Sequence, residues 1–221
     1  IGGVSEGCYA SLNLSFDRGD REEAVRENFR RIGAAIGVRC EDMVLSQQTH
    51  TTNVRIVTEA DKGKGIVRER DYTDVDGLVT NVPGICLVTS YADCVPLYFV
   101  DPVKKAIGLS HSGWRGTVGK IGAKTVEVMK DTFGSDPADI LAAVGPSVCM
   151  DCYEVSGDVI ERVEEAFAEH LWEQLFYRKP DGKYQLDLWK ANELIFREAG
   201  IRPEHIAVTN VCTHCNSTIF Y

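Results

Sequence analysis

The segment 85–134 places the tightest limits on the fold. Residues 85–89, 95–100 and 106–109 are apolar runs too short for stable helices and bounded by turn formers, so they read as buried strands. Asp101 and Pro102 turn the chain between the second run and the third. Gly113 and Gly116 then break the pattern before a segment in which Ile121, Thr125, Val128 and Met129 recur at helical spacing, up to Gly134. Strand, glycine-rich loop and helix in that order bury their apolar faces against one another, which requires helices packed on a sheet.

The same alternation continues on both sides. Asp20 and Glu23 read as the capped start of a helix carrying Val25, Phe29, Ile32 and Ile36, with Gly37 ending it. Residues 43–46 and 53–58 read as strands around the polar stretch Gln47, Gln48, Thr49, His50, which puts His50 near a strand end. Farther along, 140–144 and 206–208 read as strands, 158–170 and 187–199 as helices, and Lys179 to Gly182 as a turn. A chain of 221 residues with 44% hydrophobic content can bury all of this in one core. The expected fold class is therefore α/β (α+β), a mixed sheet with helices packed on it, forming a single domain over residues 1–221. The chain opens on Ile1 in place of Met and closes on Ile219, Phe220 and Tyr221, which read as a strand cut short; the native product is expected to extend at both ends.

A formal charge of -9 and a pI near 5.1 provide no basic face for a phosphate backbone or an anionic membrane, so neither nucleic acid nor a membrane is an expected partner. The longest uncharged run, 77–92, is shorter than a bilayer span and is interrupted by Asn81, Pro83 and Gly84. Eight cysteines without a secretory segment read as reduced thiols, hence a cytoplasmic location. A small-molecule substrate and a monomer or homodimer are expected.

Reactive side chains are densest between Ala92 and Gly116, where Asp93 and Cys94 are followed by His111, Ser112, Gly113, Trp114 and Arg115. A thiolate with two imidazoles is a good zinc donor set, and three protein ligands leave a fourth tetrahedral position for water or substrate. Residue types alone leave another reading open, in which Cys94 is a small buried hydrophobe and His111 a satisfied loop histidine.

Ala92, Asp93, Cys94, Val95, Pro96 with His111, Ser112, Gly113, Trp114, Arg115, Gly116 resembles the signature of the YfiH or laccase-domain family, also called the multicopper polyphenol oxidoreductase family. Three further segments agree: Gly2 to Ser5 with Ser11 to Leu14, Gln48 with His50, and Gly145, Pro146 with Cys152 to Val155. The resemblance implies a layered sandwich of the cysteine-hydrolase-like type and one catalytic zinc on His50, Cys94 and His111. It also implies a purine nucleoside phosphorylase acting on adenosine, inosine and guanosine, with adenosine deaminase and methylthioadenosine phosphorylase activities. Asp93 is then expected to move a proton in deamination, and Arg115 to hold phosphate bidentately, with Gln48 and Asn13 as substrate contacts. Asp93 as a turn residue and Arg115 as a surface ion-pair partner are the structural alternatives. Residues before Ile1, and the aromatic and arginine tail that the family pattern has after Tyr221, are absent from the sequence.

Three competing functions have sequence arguments. A copper-dependent polyphenol oxidase is what the family's older name suggests, but five histidines are too few for a multicopper set, so copper ranks below zinc. A cysteine hydrolase would use Cys94 as nucleophile and His111 as its base. A non-catalytic module would close the zinc with a fourth protein ligand. Cys149 with Cys152 and Cys212 with Cys215 form two Cys-x-x-Cys pairs, but the gap between them far exceeds the roughly 15 to 20 residues of a zinc ribbon, so they read as incidental reduced thiols in preference to a second metal site. The glycines of 113–119 could cradle phosphate at a helix N-terminus without matching a P-loop or a dinucleotide fingerprint. Trp172 and Trp189 read as packing residues, and Trp114 as a packing residue that could flank a base.

Overall fold

A computed structural model describes residues 2–220. Helix α1 (Glu22–Ile36) ends at Gly37, whose φ of 73° is the left-handed cap that glycine adopts without strain. Strands β1 (Met43–Leu45), β2 (Val54–Ile56), β3 (Gly77–Thr80), β4 (Cys86–Val88), β5 (Val95–Asp101) and β6 (Ala106–Ser112) follow. Next come the short α2 (Trp114–Val118), α3 (Ile121–Phe133), β7 (Leu141–Val144), β8 (Glu154–Val155), α4 (Gly157–Ala166) and α5 (Trp172–Leu175). Strands β9 (Phe176–Arg178) and β10 (Tyr184–Leu186), α6 (Leu188–Glu198), β11 (Ile206–Val208) and α7 (Ser217–Phe220) complete the order.

Six strands form the central mixed sheet in the order β11-β7-β5-β6-β3-β2. The outer pairs β11–β7 and β2–β3 are parallel, and the inner pairs antiparallel. Side chains alternate across it: Leu97 and Phe99 enter the main core, while Tyr98 and Val100 on the opposite face are each 43% exposed. Helix α3 packs across β6, β3 and β2, and α6 across β7 and β11. A Cβ on Gly108 would lie 3.1 Å from Thr125 Cγ2 and 3.2 Å from Met129 Sδ, so glycine lets α3 sit close on β6. On the other face, Leu78, Ile107 and Leu109 pack with Val44, Ile85 and Leu87 of the β1–β4 layer, and α1 covers Met43 and Leu45 from beyond. The result is a single mixed α/β domain in layers, as expected.

Several local expectations differ from the structure. Strand β3 is a central strand concealed within the uncharged 77–92 run. Residues 114–118 form α2, so the expected glycine-rich loop is largely helical. The turn at Lys179 to Gly182 joins the two strands of a hairpin, β9–β10. Residues 217–220 are helical and not a strand cut short, because Ile219 and Phe220 return their N–H groups to Asn216 instead of a neighbouring strand; Tyr221 and Ile1 lie outside the described residues. Asp20 does not cap α1: its carboxylate accepts from Ser5 Oγ and Asn13 Nδ2, tying down the N-terminal segment. The 158–170 helix ends at Ala166, and His170 falls in a separate 3-10 turn. Trp172 and Trp189 pack against the main core, donating their indole N–H to Phe167 O and Ser147 Oγ. No helix among the described residues is long and apolar enough to cross a membrane.

Candidate metal site

Strand directions bring the reactive residues to one edge of the sheet. β6 and β7 leave the sheet at the edge where β2, β3 and β5 enter it. His111 is the penultimate residue of β6 and pairs with Pro96 of β5, while Cys94 immediately precedes β5. Asp76 immediately precedes β3, and His50 lies in the loop that leads to β2.

His50, Cys94 and His111 converge there, with their ligand atoms all within 4.8 Å of one another. The histidine rings meet edge to face, their centroids 4.9 Å apart. His111 is buried, Cys94 half-buried and His50 exposed, so the cluster opens to solvent on the His50 side. Among the described residues no fourth His, Cys or carboxylate joins it, a donor set that leaves a coordination position open.

Asp76, which sequence reasoning did not single out, organises the cluster. Its buried carboxylate accepts the Nδ1–H of His111 at 2.9 Å, which leaves the other ring nitrogen of His111 free to ligate. It also accepts from the backbone N–H of Thr49, His50 and Thr51 at 2.9–3.1 Å and from Thr51 Oγ1 at 3.0 Å. Its backbone oxygen accepts from His111 N at 2.8 Å. One residue therefore fixes both histidines. Burial favours the neutral acid, but His111 and the N–H groups of Thr51 and Thr49 hold the Asp76 carboxyl down at about 2. At His111 burial opposes charge, yet Asp76 and Cys94 outweigh it and raise its pKa to about 9. Burial and the adjacent His111 lower that of His50.

Three non-glycine residues around the site have left-handed backbones: His50 (φ 65°), Asp74 (φ 54°) and Asp93 (φ 71°). Asp93 is exposed; its backbone oxygen accepts from Val148 N at 3.0 Å and its carboxylate from Thr213 Oγ1. That carboxylate is not among the converging ligand atoms. Arg115 is exposed on α2, with its guanidinium 4.4 Å over the Trp114 ring and no carboxylate partner among the described residues. Its charge and that of Cys94 both act on Tyr153, whose pKa burial pushes up to about 12.

The remaining expected contacts are already engaged. Gln48 uses its amide on Ser90, donating to the backbone oxygen at 2.6 Å and accepting from the N–H at 2.7 Å, so it braces the loop that leads to Cys94. Asn13 bonds Ser15, Asp20 and Asn28, all in the N-terminal segment or α1. Two concavities of about 460 and 410 Å³ lie elsewhere, one along α3 at Lys120 and Lys124, the other beside α1 at Arg26 and Ile66, and neither contains a ligand residue.

Gly113 adjoins the cluster so closely that an added Cβ would lie 3.0 Å from His50 Cδ2 and 3.1 Å from Cys94 Sγ. Its φ of -71° is open to any residue, so a substitution there acts on the His50 and Cys94 side chains and not on the backbone. Gly113→Ala is expected to weaken metal binding about tenfold with little change in thermal unfolding. Competitive titration of the metal-free protein measures this, and unchanged affinity would mean the two ligands relax freely.

The family model described as multi-copper polyphenol oxidoreductase laccase matches residues 1–221. The chain is 36% identical over 224 residues to a protein of Bacillus subtilis (strain 168) named purine nucleoside phosphorylase YlmD, covering 100% of this chain and 79% of that one. It is 34% identical over 216 residues to adenosine deaminase RL5 of an unknown prokaryotic organism, covering 97% and 81% respectively. The crystal structure of YlmD from Geobacillus stearothermophilus superposes with a TM-score of 0.91 at 35% identity, covering 99% of this chain and 81% of that one.

Proposed function

The chain belongs to the multi-copper polyphenol oxidoreductase laccase family, and from that membership and its site we propose that it is a zinc-dependent purine nucleoside phosphorylase acting on adenosine, inosine and guanosine. The observation that carries the zinc reading is the Asp76–His111 hydrogen bond, a carboxylate orienting a histidine whose second nitrogen faces a thiol and another imidazole. The substrate reading is supported by the names of the relatives, which include an adenosine deaminase.

His50, Cys94 and His111 would hold the ion. A zinc held there would supply Lewis-acid charge stabilisation for phosphorolysis and for deamination alike. Phosphorolysis breaks the bond between ribose C1′ and the purine nitrogen and forms one between C1′ and a phosphate oxygen; the base leaves with a proton. Arg115, uncompensated by a carboxylate and next to the cluster, binds and orients the phosphate. Trp114, partly buried against the main core and stacked under the Arg115 guanidinium, would flank the base. Asp93, whose carboxylate accepts from Thr213, would move the proton in deamination.

A second reading has one observation in its favour: Cys94, His111 and Asp76 stand in the order nucleophile, base and orienting carboxylate. His50 has no part in that triad, and a thiolate bound to zinc is a poor nucleophile, so the metal content of the purified protein separates the two. Adenosine or inosine with phosphate is expected to give free base and ribose 1-phosphate, with free base strongly reduced when phosphate is omitted. Arg115→Lys keeps the charge but loses the planar fork, and is expected to raise the KM for phosphate about tenfold while affecting deamination less. Oxidation of phenols after copper addition, with no product from any purine nucleoside, would overturn the proposal in favour of the oxidase.

A further inference from the structure

The four cysteines that looked incidental in sequence come together in space. Cys149, Cys152, Cys212 and Cys215 bring their sulfurs within 4.8 Å of one another, although each partner pair is 63 residues apart. The cause is topological: β7 and β11 are parallel neighbours, so the loops that follow them leave the sheet side by side. Pairing continues past the strands in a parallel bridge between Ser147 and Cys212, with Ser147 N donating to Val211 O at 3.1 Å and Thr213 N to Ser147 O at 3.2 Å. Each Cys-x-x-Cys pair thus occupies one of two aligned turns.

We propose that these four thiolates bind a structural zinc, separate from the ion held by His50, Cys94 and His111 and independent of the nucleoside reading. A tetrahedron of sulfurs about 2.3 Å from zinc has edges of about 3.8 Å. The Cys152 and Cys215 sulfurs are 3.5 Å apart, near that edge and well beyond a disulfide bond, and all four cysteines are free thiols. Cys212 is buried, and its sulfur accepts from the backbone N–H of Cys149 at 3.3 Å and of Cys215 at 3.4 Å, donors that stabilise a ligating thiolate. Four soft sulfur donors with no open position suit a closed zinc site.

The cluster is linked to the first site. Thr213, between the second pair of ligands, donates to the Asp93 carboxylate, and Val148, beside the first, donates to the Asp93 backbone oxygen. A zinc at the four cysteines clamps both turns and so braces the segment that carries Cys94.

Elemental analysis of protein purified under reducing, chelator-free conditions tests the assignment. In the His50→Ala/His111→Ala variant, which lacks the imidazoles of the first site, one zinc per chain is expected to remain, and adding Cys152→Ser/Cys215→Ser is expected to remove it. Cobalt substituted into the His50→Ala/His111→Ala protein should show the intense visible absorption of a tetrahedral tetrathiolate ion, a readout that does not depend on the serine variants folding. The assignment is overturned if that protein carries no metal, if it carries iron in place of zinc, or if its mass is lower by two hydrogens and places a disulfide between Cys152 and Cys215.

Discussion

Cys94→Ala is expected to lower purine nucleoside turnover by at least about 100-fold while leaving the fold cooperative. Cys94 is half-buried just before β5, outside the three apolar clusters, so its truncation opens no cavity in them. What it removes is one of the three proposed ligands, and two histidines alone would hold an ion weakly. Thermal unfolding should be compared between metal-free samples, because a bound ion stabilises the folded state by mass action and would otherwise be counted as packing. Steady-state assay with inosine and phosphate reads the activity, and a variant with full turnover would show that the metal takes no part in catalysis.

Asp76→Ala should damage both the site and the fold. Five hydrogen bonds converge on this carboxylate, three of them from consecutive backbone N–H groups of the His50 loop. Leaving such donors unsatisfied, with His111 unpaired, is expected to cost about 3 kcal/mol or more. In a chain of this length that lowers Tm by roughly 6 to 12 °C. Metal affinity should fall about 10- to 100-fold as His111 loses its orienting partner. Asp76→Asn, which preserves volume and part of the acceptor capacity, should recover more of the stability than of the affinity. A Tm for Asp76→Ala within about 2 °C of wild type would mean that other groups satisfy the loop.

The contrast between Cys94 and Asp76 also explains what could be read from sequence. Residue types alone leave Cys94 and His111 open to a structural reading, and it is the family motif that singles them out together with His50. Asp76 lies among Asp71, Asp74 and Val75 in a stretch indistinguishable from a solvated loop, and its importance depends on β3 starting at Gly77 and pairing with β6. That strand was hidden because Gly77 to Thr80 merges into a longer uncharged run with no period of its own. The convergence of the cysteine pairs is not legible from their linear separation, because parallel neighbouring strands bring distant loops together whatever the chain length between them. A usable signal was present: each pair follows a strand candidate by a few residues, 140–144 in one case and 206–208 in the other. Helix ends were more legible, since Gly37 and Gly134 close α1 and α3 by the same left-handed cap.

The left-handed backbones of His50 and Asp93 set stability against activity. A side chain in that region costs on the order of 1 kcal/mol relative to glycine, and here the hydrogen bond that His50 N donates to Asp76 and those that Asp93 accepts from Val148 and Thr213 hold the strained geometry in place. Glycine at either position would relieve the strain, yet at 50 it deletes a proposed ligand and at 93 the carboxylate beside Cys94. Directed evolution of this protein for heat resistance alone would therefore drift toward variants that outlast the parent and do less chemistry, so a thermostability screen needs metal retention as a second criterion.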